Sequence, residues 1–339
     1  MPSFFRFVSE DIGIDLGTSR TIVSDKEGNI LVNEPSVVAI DINTYEVLSV
    51  GLEAKRMVGK TPDNILAVSP LENGVIADFE TTRAMITYFI QKASKGFALF
   101  QPRVLVTVPS GLTDVERRSV EDVALYAGAR DVILIEENIA SAIGLGIDIS
   151  QPKGHLIVNV GAGTIEVSVV SLNGIVASHS QKIGGEFIDN QIQYILKKKH
   201  NLVIGISSAE DIKKKIGTIE KFRQSDEMEI SGRDVVTGMP KIIKIKNQDI
   251  LGAITPVVVD IVSSIRTVLE KTPPEISGDI AREGIYLLGG LSRIGGLSTY
   301  ISSQLNMPVI KVEHPQNITG IGAGKACKFF KKIKNSKRF

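Results

Sequence analysis

Residues 12–24 read IGIDLGTSRTIVS, and residues 156–172 read LIVNVGAGTIEVSVVSL. In each stretch an apolar strand runs into a turn of glycine and hydroxyl residues and returns as a second strand, the pattern of a hairpin. The first turn, Asp15-Leu16-Gly17-Thr18-Ser19, combines a carboxylate with glycine, hydroxyls and backbone N–H groups, a suitable cup for phosphate oxygens. Glycine is needed where N–H groups approach an anion without a Cβ in the way, and hydroxyls add further donors. The second turn, Asn159-Val160-Gly161-Ala162-Gly163-Thr164, repeats the pattern. One such hairpin is more often just a tight turn. Two copies, followed by Gly184-Gly185-Glu186 and Gly289-Gly290, read together as a nucleotide clamp between two related halves.

Working outward, Ile12–Leu16, Thr21–Ser24, Ile30–Val32 and Ser36–Ile40 read as a β-meander. Thr82–Lys92 places Ala84, Met85, Tyr88 and Phe89 at helical spacing, and Arg103–Val108 is an apolar strand closed by Pro109. A helix over Asp114–Ala127, opened by the capping signature Thr113-Asp114-Val115-Glu116, leads to a strand at Asp131–Ile135 and completes a βαβ unit. Further helices are expected at Phe187–Lys199, Ala209–Ile216 and Asp249–Lys271, a strand at Gly284–Leu288, and a last helix from near Gly322. The fold class is therefore α/β. A chain of 339 residues suits two cores rather than one, with lobes expected at 1–150 and 151–325 and a basic tail at 326–339.

Composition narrows the function. With 43% hydrophobic and 23% charged residues and no low-complexity stretch, the chain has the make-up of a soluble globular protein. No run of about 18 apolar residues occurs, and the opening Met1–Val8 is too short, and too soon followed by Glu10 and Asp11, for a secretory signal. The single Cys327 excludes an intrachain disulfide and leaves no Cys-rich metal site, which fits a reducing compartment. His155, His179, His200 and His314 are scattered without metal spacing. The net charge of +1 hides seven cationic and no acidic side chains in Lys325–Phe339, which leaves the rest of the chain acidic. A tail with Phe329, Phe330 and Ile333 among its lysines can reach acidic lipid headgroups; nucleic acid or plain solvation are the other readings.

These phosphate and adenosine segments resemble those of the actin, Hsp70 and sugar-kinase superfamily. Within it the chain is similar to the MreB family of bacterial actins over nearly its whole length, through IGIDLGT (12–18), NEPSVVAI (33–40), GVIADFE (74–80), DVERR (114–118), IEE (135–137) and LEKTPPE (269–275). The resemblance implies an actin-like duplicated fold of four subdomains around a nucleotide cleft, the small ones near 33–75 and 187–250. It implies ATP or ADP with Mg2+ at the cleft base, antiparallel double protofilaments of the chain with itself or other MreB-type subunits, and attachment to the inner face of the cell membrane from the cytoplasm. No nucleic-acid partner is implied.

By motif, the resemblance puts Asp15 and Asn159 beside the metal, and Glu137 and Thr164 beside the attacking water. Gly17, Thr18, Ser19, Arg20, Gly161, Ala162 and Gly163 would face the phosphates. Gly184, Gly185, Glu186, Lys213, Lys215, Gly289, Gly290, Leu291 and Ser292 would face the adenosine. Several of these depart from the family pattern. Asn159 replaces an aspartate, which should weaken metal binding and phosphoryl transfer. Ala162 replaces glycine, Ile165 a hydroxyl residue, and Arg20 an asparagine; Arg20 either pairs with phosphate or points to solvent. Lys215 stands where a glutamate would accept from ribose and cannot do so, and Leu291 replaces a glycine beside the base.

Leu99 and Phe100, in Phe97-Ala98-Leu99-Phe100, match the family's membrane-insertion loop, against a bland reading as core packing; Phe4, Phe5, Phe7 and Val8 are either a second anchor or a frayed end. The leading reading is an ATP-binding bacterial actin, forming membrane-associated filaments for cell shape or for motility in a wall-less cell, with a weak Mg-dependent ATPase at most. The alternative is a non-hydrolysing scaffold or regulator of other MreB filaments. A small-molecule kinase would need a sugar-binding insertion, and none is evident.

Overall fold

Uninterrupted apolar runs such as Val104–Val106 and Leu156–Val158 leave no face for water, and both form strands buried on both sides at the centre of a sheet. The computed structural model describes residues 11–94, 101–220, 227–330 and 333. Strands β1 (Ile12–Leu16), β2 (Arg20–Asp25) and β3 (Ile30–Pro35) form an antiparallel meander. The chain then leaves this sheet. β4 (Val38–Asp41), β5 (Val47–Val50) and β6 (Ile65–Val68) make a separate sheet in the order β5-β4-β6, and Ala54 of helix α1 (Leu52–Met57) packs against Val37 and Ala39. The fourth meander strand expected at Ser36–Ile40 is thus corrected. Ser36 is pinned under the first glycine turn, its hydroxyl 2.6 Å from Gly17 O and 2.9 Å from Thr21 Oγ1, and the chain turns away before Val38.

A short hairpin, β7 (Leu71–Glu72) and β8 (Val75–Ile76), precedes helix α2 (Phe79–Ala93), whose first turn is capped by Asp78. β9 (Arg103–Val108), α3 (Asp114–Tyr126) and β10 (Asp131–Glu136) form the expected βαβ unit, with the Thr113–Glu116 capping box in place. Helix α4 (Glu137–Leu145) follows at once. The design then repeats with β11 (His155–Val160), β12 (Ile165–Ser171), β13 (Gly174–Gln181) and helix α5 (Gly185–His200). β14 (Leu202–Val203), α6 (Ile206–Ile216), β15 (Glu227–Asp234) and β16 (Pro240–Lys246) supply a second small sheet and its helix. Helices α7 (Asn247–Glu270) and α8 (Pro274–Glu283), β17 (Ile285–Leu288), α9 (Leu297–Leu305), β18 (Val309–Ile310) and α10 (Ile318–Ala326) complete the order.

The two large sheets run β10-β9-β1-β2-β3 and β18-β17-β11-β12-β13, with the same parallel and antiparallel pairings, so the molecule is an actin-like duplication. Helix α7 is long and apolar enough to cross a bilayer by composition, yet half of it is buried inside the protein. Ile250, Ile254, Val257, Ile261, Ile265 and Val268 recur at helical spacing and fill the core of the second lobe.

Helix α10 begins at Ile318 rather than near Gly322. Gly320, Gly322 and Gly324 are contact glycines here, not breakers. A Cβ on Gly322 would overlap the carbonyl of Ala140 in α4, and one on Gly324 the carbonyl of Asp25 in β2. The C-terminal part of the chain is thereby seated on the first lobe. Phe330 and Ile333 continue into the same core with Leu105 and Ile133, and the Arg103 guanidinium stacks over the Phe330 ring at 4.6 Å. Lipid contact, nucleic-acid contact and plain solvation were the readings of this tail; these two of its residues belong to the core instead. Lys331, Lys332, Lys334, Lys337 and Arg338 lie outside the described residues, as do Leu99, Phe100 and Phe4–Val8.

Substituting Gly322→Ala should force α10 off α4, cost about 3 kcal/mol and lower the melting temperature by about 5 °C or more. Gly278→Ala, inside α8 with nothing within 4 Å of the added methyl, should stabilise by roughly 0.5–1 kcal/mol in the same melt.

Candidate nucleotide-binding site

The β1–β2 and β11–β12 turns meet at the junction of the lobes. At Gly163 a Cβ would stand 2.5 Å from Thr18 Oγ1 and 2.9 Å from Asn73 Cα, so the second turn rests on the first without room for a side chain. Thr18 Oγ1 also accepts from Gly74 N at 3.1 Å. The left-handed Asn73-Gly74 tip of the β7–β8 hairpin is therefore wedged between the two turns. Gly184 stacks on the second turn, its missing Cβ only 2.5 Å from Ala162 O, while Gly185 N and Glu186 N donate to Gly161 O (3.1 Å) and Ala162 O (2.9 Å). Gly289, with φ +85°, closes on the same strand end against Val160 and Asn159 Oδ1, and Ser292 Oγ donates to its carbonyl at 2.6 Å. The four glycine segments anticipated from the sequence thus converge.

Three carboxylates and one amide floor this junction. Asp15 accepts from Thr107 Oγ1 at 2.8 Å; burial lifts its carboxyl to about 6, partly countered by that bond. Glu137, at the start of α4, is pushed well above the usual range by burial and then by the charges of Glu166 and Asp15. Asn159 Nδ2 donates to Glu137 Oε2 at 3.1 Å and lies 3.5 Å from Thr319 Oγ1, which is itself 2.9 Å from Ser141 Oγ. Glu166 stands opposite Asn159 in the hairpin register and accepts from Ser110 N (3.2 Å), Ser110 Oγ (2.7 Å) and Ser180 Oγ. Thr164 is buried beside Gly74.

No group of three or more His, Cys, Asp or Glu side chains is arranged to hold a metal among the described residues. Asp15 and the Asn159 amide oxygen are hard oxygen donors with one negative charge between them. Such a pair suits a Mg2+ that brings phosphates and waters as its other ligands.

Other anticipated residues sit differently. Lys213 is tied down, donating to Asp189 Oδ2 at 2.7 Å and to Gly185 O at 2.8 Å. Burial lifts Asp189 to about 6 despite that lysine. Lys213 thus braces the Gly184–Gly185 backbone against the second turn. Lys215 is exposed on α6. Leu291 is buried in the second-lobe core beside Gly185, away from solvent. Arg20 is exposed and donates to Asn33 Oδ1 at 2.6 Å, which pins the neighbouring strand; Ser19 and Gly290 are exposed beside the turns. Sequence reasoning missed Thr107, Glu166, Asp189 and Thr319, which come from separate elements and carry no local motif. The GVIADFE stretch did contain Gly74, but its wedge role needs the opposing turn.

Duplicated sheets closing on paired glycine turns define the actin-like class. Within it, the chain belongs to the MreB/Mbl protein family of bacterial actins, whose model matches residues 9–335. It is 42% identical over 316 residues to the cell shape-determining protein Mbl of Bacillus subtilis (93% of this chain, 95% of the relative) and 40% identical over 331 residues to MreB of Escherichia coli (96% and 95%). Among solved structures, ADP-bound MreB5 of Spiroplasma citri superposes with a TM-score of 0.89 at 34% identity, covering 97% of this chain and 99% of that one. A MamK double helical filament gives 0.79 at 22% identity, covering 94% and 98%, a likeness of fold.

Because Asp15 titrates near 3.8 in the unfolded chain and about 6 in the fold, the folded form binds more protons between those values, and its contribution falls as pH rises from about 4 to about 6. Asp15→Asn should flatten that slope and stabilise the ligand-free protein at pH 7 by on the order of 1–3 kcal/mol, read by urea denaturation at pH 4.5 and 7. Lys213→Met, which strands Asp189 in the interior, should cost about 3 kcal/mol, against less than about 0.5 for Lys215→Met on the exposed face of α6.

Proposed function

We propose that this bacterial actin binds ATP or ADP with Mg2+ between its glycine turns, polymerises with copies of itself and with other MreB-type subunits, and hydrolyses ATP weakly. Support for the cytoskeletal role comes from the cell shape-determining relatives, and for the nucleotide from the ADP and AMPPNP complexes of Spiroplasma citri MreB5. The observation that carries the weak hydrolysis is the Asn159–Glu137 hydrogen bond at 3.1 Å. Phosphoryl transfer depends on positioned water and on charge held against the phosphates. Here the carboxyl that would orient the water is occupied by an amide, and the residue that would carry the second charge is neutral. Asp15 and Asn159 would hold the metal, which supplies charge neutralisation on the phosphates when bound. The turn N–H groups and Thr18 would bind phosphate oxygens, and Glu137 and Thr164 would face the water.

The same reading gives lobes of 1–150 and 151–325, small subdomains near 33–75 and 187–250, antiparallel double protofilaments, and a cytoplasmic protein peripheral on the inner membrane through Leu99 and Phe100. The role is cell shape, or motility in a wall-less cell. The alternative, a non-hydrolysing nucleotide-binding scaffold or regulator of other MreB filaments, rests on the same Asn159.

Phosphate release and pelleting with Mg-ATP test this together. Wild type should pellet and release phosphate slowly but above background, and Asn159→Asp should raise the rate about tenfold by restoring the charge. Background release in wild type with recovery in Asn159→Asp selects the scaffold. Fast release unaffected by the substitution sinks the role given to Asn159. On anionic liposomes, Leu99→Ser with Phe100→Ser should abolish binding, and neutralising Lys334, Lys337 and Arg338 should weaken it. Deleting the whole tail is uninformative because Phe330 and Ile333 belong to the core.

A further inference from the structure

The lobes are joined very differently at the two ends of the cleft. At the base, contacts are buried and packed: Gly163 on Thr18, Ser110 on Glu166, and Gly322 of α10 on Ala140 of α4. Such contacts exclude water and side chains alike, and they leave the base little freedom to open. Away from the base, Lys55 Nζ of α1, which packs on the first small sheet, meets Glu210 Oε2 of α6, which packs on the second, at 2.8 Å across 155 residues of chain. The side chains of this pair keep 35% and 20% of their exposure, so water and salt reach it. A pair of this kind contributes little to overall stability, but it is breakable on the timescale of domain motion.

Two details give the contact direction. First, Glu210 is held on both oxygens, by Lys55 on Oε2 and by Lys214 of its own helix on Oε1 at 2.6 Å. Burial alone would raise this carboxyl; the two ammonium groups outweigh it and hold the group at about 2, so the clasp stays charged throughout the physiological range. Second, Lys213, one helical turn beyond Glu210, donates to Gly185 O in the segment stacked on the second phosphate turn. Helix α6 is therefore fastened to the floor of the candidate site at one turn and to the opposite lobe at the preceding one. A rigid helix tied at both points couples separation of the lobes to displacement of the Gly184–Gly185 backbone.

We propose that the Lys55–Glu210 ion pair is a clasp across the cleft mouth that sets the rate at which bound nucleotide leaves. The proposal rests on nucleotide occupying the cleft. Breaking the pair lets α1 and α6 part while the buried base stays closed, and the ligand escapes through the gap. Dissociation is then governed by ionic strength more than by pH.

The test is the dissociation rate of a fluorescent ATP analogue from the full-length protein, chased with excess ATP. Lys55→Glu and Glu210→Lys should each speed release about threefold to fivefold, the ceiling for a partly exposed pair, and the double charge swap should return it to within about twofold of wild type. Salt at about 0.5 M should accelerate wild type and leave Lys55→Met, which has no charge at that position, unchanged. Single variants at the wild-type rate, or a swap without rescue, overturn the clasp. If wild type binds no analogue, the site reading itself fails, and the clasp is judged without ligand by spin labels at Arg56→Cys and Asp211→Cys. Both positions are exposed, whereas the native Cys327 is buried. The interlobe distance should be narrowly distributed with the native pair, broaden in Lys55→Glu and narrow again in the swap; an unchanged distribution overturns it.

Discussion

The absence of a side chain at Gly163 is the constraint on which the remainder of the structure depends. Only because no Cβ intervenes can the second glycine turn lie on Thr18 and on the Asn73-Gly74 tip. Gly184 and Gly289 then stack on the same strand ends for the same reason. The result is a concentration of backbone N–H groups and hydroxyls at one point between the lobes, with water held off by the apolar strands beneath. The helices that seat α10 on α4 use the same device in the core, where glycine lets carbonyl groups approach closely enough to remove any gap.

Charge at this junction is arranged against stability. Asp15, Glu137 and Glu166 are drawn out of water; burial drives all three carboxyls up, and at Glu137 the charges of Glu166 and Asp15 add to the rise. A folded protein tolerates such a cluster where something else is to be bound, and the strain is relieved by a cation or by donors. Glu166 has the donors, from Ser110 and Ser180. Glu137 has one amide, that of Asn159. Substituting an amide for a carboxylate at that point removes a repulsion and also removes a charge.

Much of the fold was legible beforehand because it is written in local chemistry. The βαβ unit at 103–136 has a continuous apolar strand, a capping box and a second strand, each readable within a few residues. The glycine turns were legible because their residue types serve one purpose and occur twice. The errors share a cause. Ser36 looked like strand because its apolar neighbours continue the pattern, and the hydrogen bond that turns the chain comes from Gly17. Gly322 looked like a helix start because glycine breaks isolated helices, and its partner in α4 lies far away in sequence. Phe330 and Ile333 looked like part of an exposed basic tail because lysines surround them, though Leu105 and Ile133 wait beneath.

By itself the sequence determined that the chain is a duplicated α/β protein with paired glycine-and-hydroxyl turns, since strand periodicity and turn chemistry act over a handful of neighbouring residues. Only the tertiary structure decided which polar groups those turns would face. Thr107, Asp189 and Thr319 reach the junction from separate elements, and Lys213 and Arg20 find their partners in Asp189 and Asn33. A hydrogen bond is decided at about 3 Å, and that separation is set by how whole sheets and helices pack rather than by the residue types alone.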